Sequence, residues 1–135
     1  MPSPPDWYSQ RKDEGMSSMG EITPSVYICL SQSFNDALVE REVLRGLEEE
    51  SVPWEIVHLE NNDRIALAYE GALRSALEVG IGIDSNGFIA VHYRKLPPSH
   101  PLFEVNYINN FNEVKDICAN AARLIKNTPL RVGGH

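Results

Sequence analysis

The sequence predicts an α/β fold: one mixed five-stranded sheet with helices on both faces. Three observations predict it. Apolar, β-rich runs alternate with amphipathic helical runs in the order β-α-β-α-β-β-β-α. The two β-α-β units demand right-handed crossovers and parallel strand pairing. The link Ser85-Asn86 between the third and fourth strands is short and polar, so those two strands form an antiparallel hairpin. Helices on both faces of such a sheet bury its apolar residues. With 135 residues, 42% of them hydrophobic, the chain is long enough for one domain with a real core.

Each element carries its own signal. "SVYICLS" (Ser25 to Ser31) is a β-rich run bounded by Pro24. "SQSFNDALVEREVLRGLEEE" follows as a helix, with Ser33 and Asp36 spaced like a capping box. Val39, Val43 and Leu47 recur at i, i+4 and i+8 as one apolar stripe. Gly46 lies beside that stripe, where close approach to a sheet would explain it. Ser51 and Pro53 end the helix. "PWEIVHL" is the second strand, and "NDRIALAYEGALRSAL" the second helix, with Ile65, Ala68, Ala72 and Leu73 on one face. "VGIGID" and "GFIAVHY" form the hairpin, "LPPSHPL" is a proline-rich loop and "FEVNYI" is the last strand. "NEVKDICANAARLIKN" is the last helix, with Val114, Ile117, Ala121, Leu124 and Ile125 as its stripe. Lys126 stands at its C-terminal end, the favourable pole for a cation. The expected organisation is a tail over 1–23, a single α/β domain over 24–128 and a second tail over 129–135. Residues 1–23 hold three prolines and two glycines with no apolar period, which is why they read as a tail. Met16 and Met19 are alternative starts, and Trp7 and Tyr8 are the residues of that tail able to dock.

The composition excludes several classes. A net charge of −7 opposes a general nucleic-acid binder, which needs a basic face to displace counterions. It equally opposes a polybasic membrane contact. No run of 18 apolar residues and no basic-then-apolar leader occurs. The expected location is therefore the cytoplasm. Cys29 and Cys118 sit in apolar runs without metal spacing, so both read as buried free thiols.

Few patterns carry chemistry. Gly80 and Gly82 tempt toward a phosphate loop, yet they lie inside a strand followed by another strand. A dinucleotide fingerprint needs a helix there. Their reading is close packing of a helix or another chain. No P-loop, no Gly-x-Ser-x-Gly elbow and no Asp-x-His-x-x-Gly pattern exists. His58 and His92 end strand runs, His100 lies in a loop and His135 is the last residue. No catalytic residue and no tightly bound cofactor is expected.

"GLEEESVP" is the one oddity. Glu48, Glu49 and Glu50 crowd the C-terminal end of the first helix, where exposed carbonyls make the pole negative. Each carboxylate there costs roughly 0.3–1 kcal/mol. Two readings stand: a solvated helix end, or a carboxylate offered to a hard cation. One carboxylate suffices when another chain supplies the rest, since Mg²⁺ and Ca²⁺ take oxygen ligands and often keep waters.

"REVLRGLEEESVPWEI", "VGIGID", "VHYRKLPPSHPLFEV" and "NAARLIKNTPLR", in register over roughly residues 25–131, resemble the small subunit of the diol/glycerol dehydratase reactivating factor. The resemblance implies a three-layer α/β/α fold of the anticodon-binding-domain type. Its sheet order is 2-1-3-4-5, with strand 4 antiparallel. It implies a non-catalytic subunit whose partners are a large, chaperone-like ATPase subunit and the subunits of an adenosylcobalamin-dependent dehydratase. Exchange with the dehydratase β subunit would release damaged cobalamin. It also implies that a glutamate at the end of the first helix binds Mg²⁺ (or Ca²⁺) at the contact with the large subunit. By register that residue is Glu49, with Glu48 and Glu50 as alternatives. Residence in the cytosol or in a bacterial microcompartment stays open. The N-terminal tail and the final "VGGH" depart from the family pattern. The alternatives are a dehydratase medium-subunit-like domain, or a small α/β enzyme or ligand-binding domain with a pocket at the C-terminal strand edges. A phosphate held near Ser31 to Asn35 would favour the last.

Overall fold

The structure, a computed structural model, describes residues 23–127. Apart from Thr23, the two expected tails lie outside the described residues. Five strands pair in the order β2-β1-β3-β4-β5. They are β1 (Val26–Ser31), β2 (Trp54–Leu59), β3 (Val79–Ile83), β4 (Phe88–Tyr93) and β5 (Phe103–Asn106). β1 runs parallel to both β2 and β3, while β4 is antiparallel to β3 and β5. The expected mixed sheet and its antiparallel fourth strand are both present.

Three helices cover it: α1 (Ala37–Glu49), α2 (Arg64–Arg74) and α3 (Val114–Asn127). Alternation along the strands divides the residues between two faces. Val26, Ile28, Leu30, Ile81, Ile83, Ile89 and Val91 join Val39, Val43 and Leu47 of α1 and Val114, Cys118, Ala122 and Ile125 of α3 in the main core. α2 lies on the opposite face. A β-carbon on Gly80 would collide with the Ala68 carbonyl, and one on Gly82 with the Arg64 carbonyl. The two glycines thus let α2 settle directly on β3, the close packing their place inside a strand implied.

Several local expectations are corrected. The N-cap of α1 is Asp36 rather than Ser33; its Oδ1 accepts the Val39 N–H at 3.1 Å. Ser33 is diverted to hydroxyl contacts with Ser31 and Ser85. The buried face of α2 is Leu67, Ala68, Gly71 and Ala72; Ile65 is only half-buried and Leu73 is exposed. Against a glycine-bearing strand, the small residues define the contact. Leu124 is exposed, while Cys118, Ala119 and Ala122 of α3 are buried. Gly46 does approach closely, but to α3 rather than to the sheet: a β-carbon there would stand 2.5 Å from the Lys115 carbonyl oxygen. β5 stops at Asn106, whose Oδ1 accepts the N–H groups of Ile108 and Asn109 and turns the chain into a 3-10 turn, Phe111–Glu113, before α3. Among the described residues, no helix is long and apolar enough to cross a membrane.

Candidate functional site

The acidic end of α1 is built by a Schellman turn. Ser51 adopts φ 58°, and its N–H bonds the Glu48 carbonyl at 3.0 Å. The Val52 N–H bonds the Leu47 carbonyl at 3.1 Å. Val52 and Leu47 are both buried, which is the apolar contact that accompanies this motif. The turn fixes where the three glutamates point.

They go to three places. Glu48 is exposed and lines a shallow groove of about 330 Å³ with Ala37, Glu40, Arg41 and Leu44. Glu49 is 43% exposed, and its Oε2 accepts a hydrogen bond from Lys115 Nζ at 2.7 Å. Glu50 is 20% exposed; its Oε2 accepts from Arg123 Nε at 2.9 Å, and its carbonyl accepts from Lys126 Nζ at 2.9 Å. Helix α3 therefore lays a basic stripe along the acidic run. Lys115, Arg123 and Lys126 fall within about 80° of one another around a 3.6-residue helix. Sequence reasoning had placed only Lys126; the spacing of the three cations was the signal available.

The Lys115 hydrogen bond, above all, holds the Glu49 carboxyl below its ordinary range. Reciprocally, Glu49 holds the Lys115 ammonium above its ordinary range. Glu49 is thus an ionised, accessible oxygen donor. That donor set suits a hard cation such as Mg²⁺ or Ca²⁺. It fits as one ligand only: among the described residues, no three His, Cys, Asp or Glu side chains converge. The remaining ligands would have to come from water or another chain.

The other candidates resolve differently. Burial pushes the Cys29 and Cys118 thiols up to about 12, so both are protonated and inert. His92 is fully buried and satisfied: its Nδ1 accepts the Tyr93 N–H at 3.0 Å, and its Nε2–H donates to the Pro98 carbonyl at 2.9 Å. His58 and His100 are exposed. At the C-terminal strand edges, the helix N-termini are already capped by carboxylates. Asp36 serves α1, and Asp63 serves α2 by accepting the Ile65 N–H at 2.9 Å. A phosphate near Ser31 to Asn35 would meet the Asp36 charge. Ser31, Ser33 and Ser85 share hydroxyl hydrogen bonds there, and Asn62 donates to Ser85 Oγ at 2.9 Å. This unforeseen cluster ties three loops together.

The family model described as dehydratase medium subunit matches residues 23–131. The propanediol dehydratase-reactivating factor small subunit of Citrobacter freundii is 39% identical over 109 residues, which are 81% of this chain and 91% of that protein. Among solved structures, a glycerol dehydratase reactivase chain superposes with TM-score 0.73 at 31% identity, covering 79% of this chain and 96% of its own. A diol dehydratase-reactivating factor, solved in complex with ADP and Mg²⁺, gives TM-score 0.71 at 35% identity, covering 80% of this chain and 97% of its own.

Proposed function

The chain belongs to the dehydratase medium-subunit family, together with the small subunits of diol and glycerol dehydratase-reactivating factors, and from that premise we propose that it is the non-catalytic small subunit of such a factor. It pairs with a large subunit that carries the ATPase. By leaving that subunit, it frees a surface for the β subunit of an adenosylcobalamin-dependent dehydratase. That exchange opens the dehydratase and lets damaged cobalamin depart.

The observation that carries this reading is the extent of the match. The fold takes up 96% and 97% of the two reactivase chains. The hydroxyl–imidazole contact of the described residues, Ser99 Oγ to His100 Nδ1 at 3.2 Å, joins chain neighbours in an exposed loop. The Asp36 and Asp63 caps weigh against a phosphate-binding domain, since each places a carboxylate where the anion would sit.

Glu49 is the residue of this chain proposed to hold Mg²⁺ at the contact with the large subunit. When bound, the ion would take Glu49 as one oxygen ligand and leave its other positions to water or the partner chain. The residues here prepare that contact. The Schellman turn aims the run outward, and Gly46 lets α1 lie against α3. Arg123 and Lys126 hold Glu50 back, so Glu49 and Glu48 remain accessible.

Co-expression with a large subunit, followed by affinity capture of this chain, tests the reading. A stoichiometric complex is expected, weakened by EDTA and by Glu49→Gln. The pure chain should hydrolyse no ATP. A chain that captures neither an ATPase nor a dehydratase subunit would overturn the reading. So would ATP turnover by the pure chain that a point mutation in it abolishes.

A further inference from the structure

Glu49 and Lys115 both stand at the wrong pole of their own helices. Glu49 is the last residue of α1, where the backbone carbonyls already make the end negative. Lys115 is the second residue of α3, near the positive pole of that helix's dipole. Each charge is disfavoured locally, and each is neutralised by the other across 2.7 Å. The remaining cations of the stripe are engaged elsewhere, Arg123 and Lys126 with Glu50. Lys115 is therefore the cation assigned to Glu49. A divalent ion on that carboxylate would occupy the ammonium's place: beside the same oxygen and against the same negative helix end.

We propose that Lys115 is a built-in competitor for the divalent ion, holding the Glu49 carboxylate in the free chain and leaving it when a partner brings the ion and its other oxygen ligands. The inference rests on the assignment of Glu49 as a metal ligand. It adds a control to that assignment. Ammonium and metal compete for Glu49 Oε2, so the free chain takes up the ion less readily. Assembly then couples ion binding to release of the lysine. The swap costs little, because an exposed pair of this kind is weak. It is also reversible, as a subunit that must come off again requires.

The test is the Mg²⁺ requirement for assembly. The chain and a large subunit are mixed after EDTA treatment, and complex is measured by size-exclusion chromatography against MgCl₂ concentration. Lys115→Met should lower the half-saturating Mg²⁺ by about two- to fivefold, the range that losing an exposed pair spans. Lys115→Arg should restore the original requirement. Lys126→Met removes a cation from the same stripe that serves Glu50, and should leave the requirement unchanged. An unchanged or higher requirement in Lys115→Met would overturn the proposal, as would an equal drop in Lys126→Met. Glu49→Gln separates the two levels. If it removes the Mg²⁺ dependence while Lys115→Met shifts nothing, the metal assignment stands and the competitor falls. If Glu49→Gln leaves the Mg²⁺ dependence intact, both fall.

Discussion

Gly46 and Cys118 meet where α1 crosses α3: a β-carbon on Gly46 would stand 2.8 Å from the β-carbon of Cys118 and 2.5 Å from the Lys115 carbonyl oxygen. That contact sets the distance between the acidic end of α1 and the basic stripe of α3. Alanine normally strengthens a helix relative to glycine by about 1 kcal/mol. Here the obstacle is backbone and cannot swing aside, so overpacking wins. Gly46→Ala should lower stability by about 1–3 kcal/mol in urea unfolding. It should also loosen the Glu49–Lys115 pair, visible as a change in the Lys115 side-chain NMR signals.

Ser51 predicts the opposite sign. Its φ of 58° lies in the left-handed region, and the residue is exposed. Glycine holds that conformation without the β-carbon penalty, which is about 1 kcal/mol. Ser51→Gly should raise the midpoint of urea unfolding by a corresponding amount, with the slope unchanged.

The caps can be told apart by substitution. Asp36→Ala removes the acceptor for the Val39 N–H and should cost about 1 kcal/mol. Ser33→Ala should leave the helical circular dichroism of α1 in place, since Ser33 serves the loops through Ser31 and Ser85. Loss of helix in Ser33→Ala with none in Asp36→Ala would reverse the assignment.

The two thiols give a pH dependence. Both rise from an ordinary value of 9.0 to about 12 through burial, so folding favours their protonated form. The unfolded chain loses these protons first. Their contribution is fully present below pH 9 and is lost as pH rises through 12. Stability should fall across that window. At pH 8, iodoacetamide should label Cys29 and Cys118 only in denaturant, as read by mass spectrometry.

The element order and sheet class were legible because the strands stand out as short apolar, β-rich runs and the helices as apolar stripes of period 3.6. What periodicity missed was size and competition. It counted Leu73 toward the buried face of α2 and passed over Gly71, although a helix lying on Gly80 and Gly82 selects small residues. It read Ser33 and Asp36 as cooperating at one cap, when the loops claim Ser33.

The site was half legible. Dipole reasoning marked Glu48, Glu49 and Glu50 as odd, and the family register singled out Glu49. Their partners were hidden by distance along the chain. Lys115 is 66 residues from Glu49, and Arg123 is 73 from Glu50. Only the crossing of α1 over α3 at Gly46 brings those charges together, and nothing local to the acidic run announces it.

Native mass spectrometry of this chain co-expressed with a large subunit, in ammonium acetate with trace Mg²⁺, tests the central claim most directly. The expected spectrum shows a mixed complex carrying divalent ions in fixed number, reduced by one per small subunit in Glu49→Gln. A chain that flies alone, or a complex whose metal content is the same in Glu49→Gln, would contradict it.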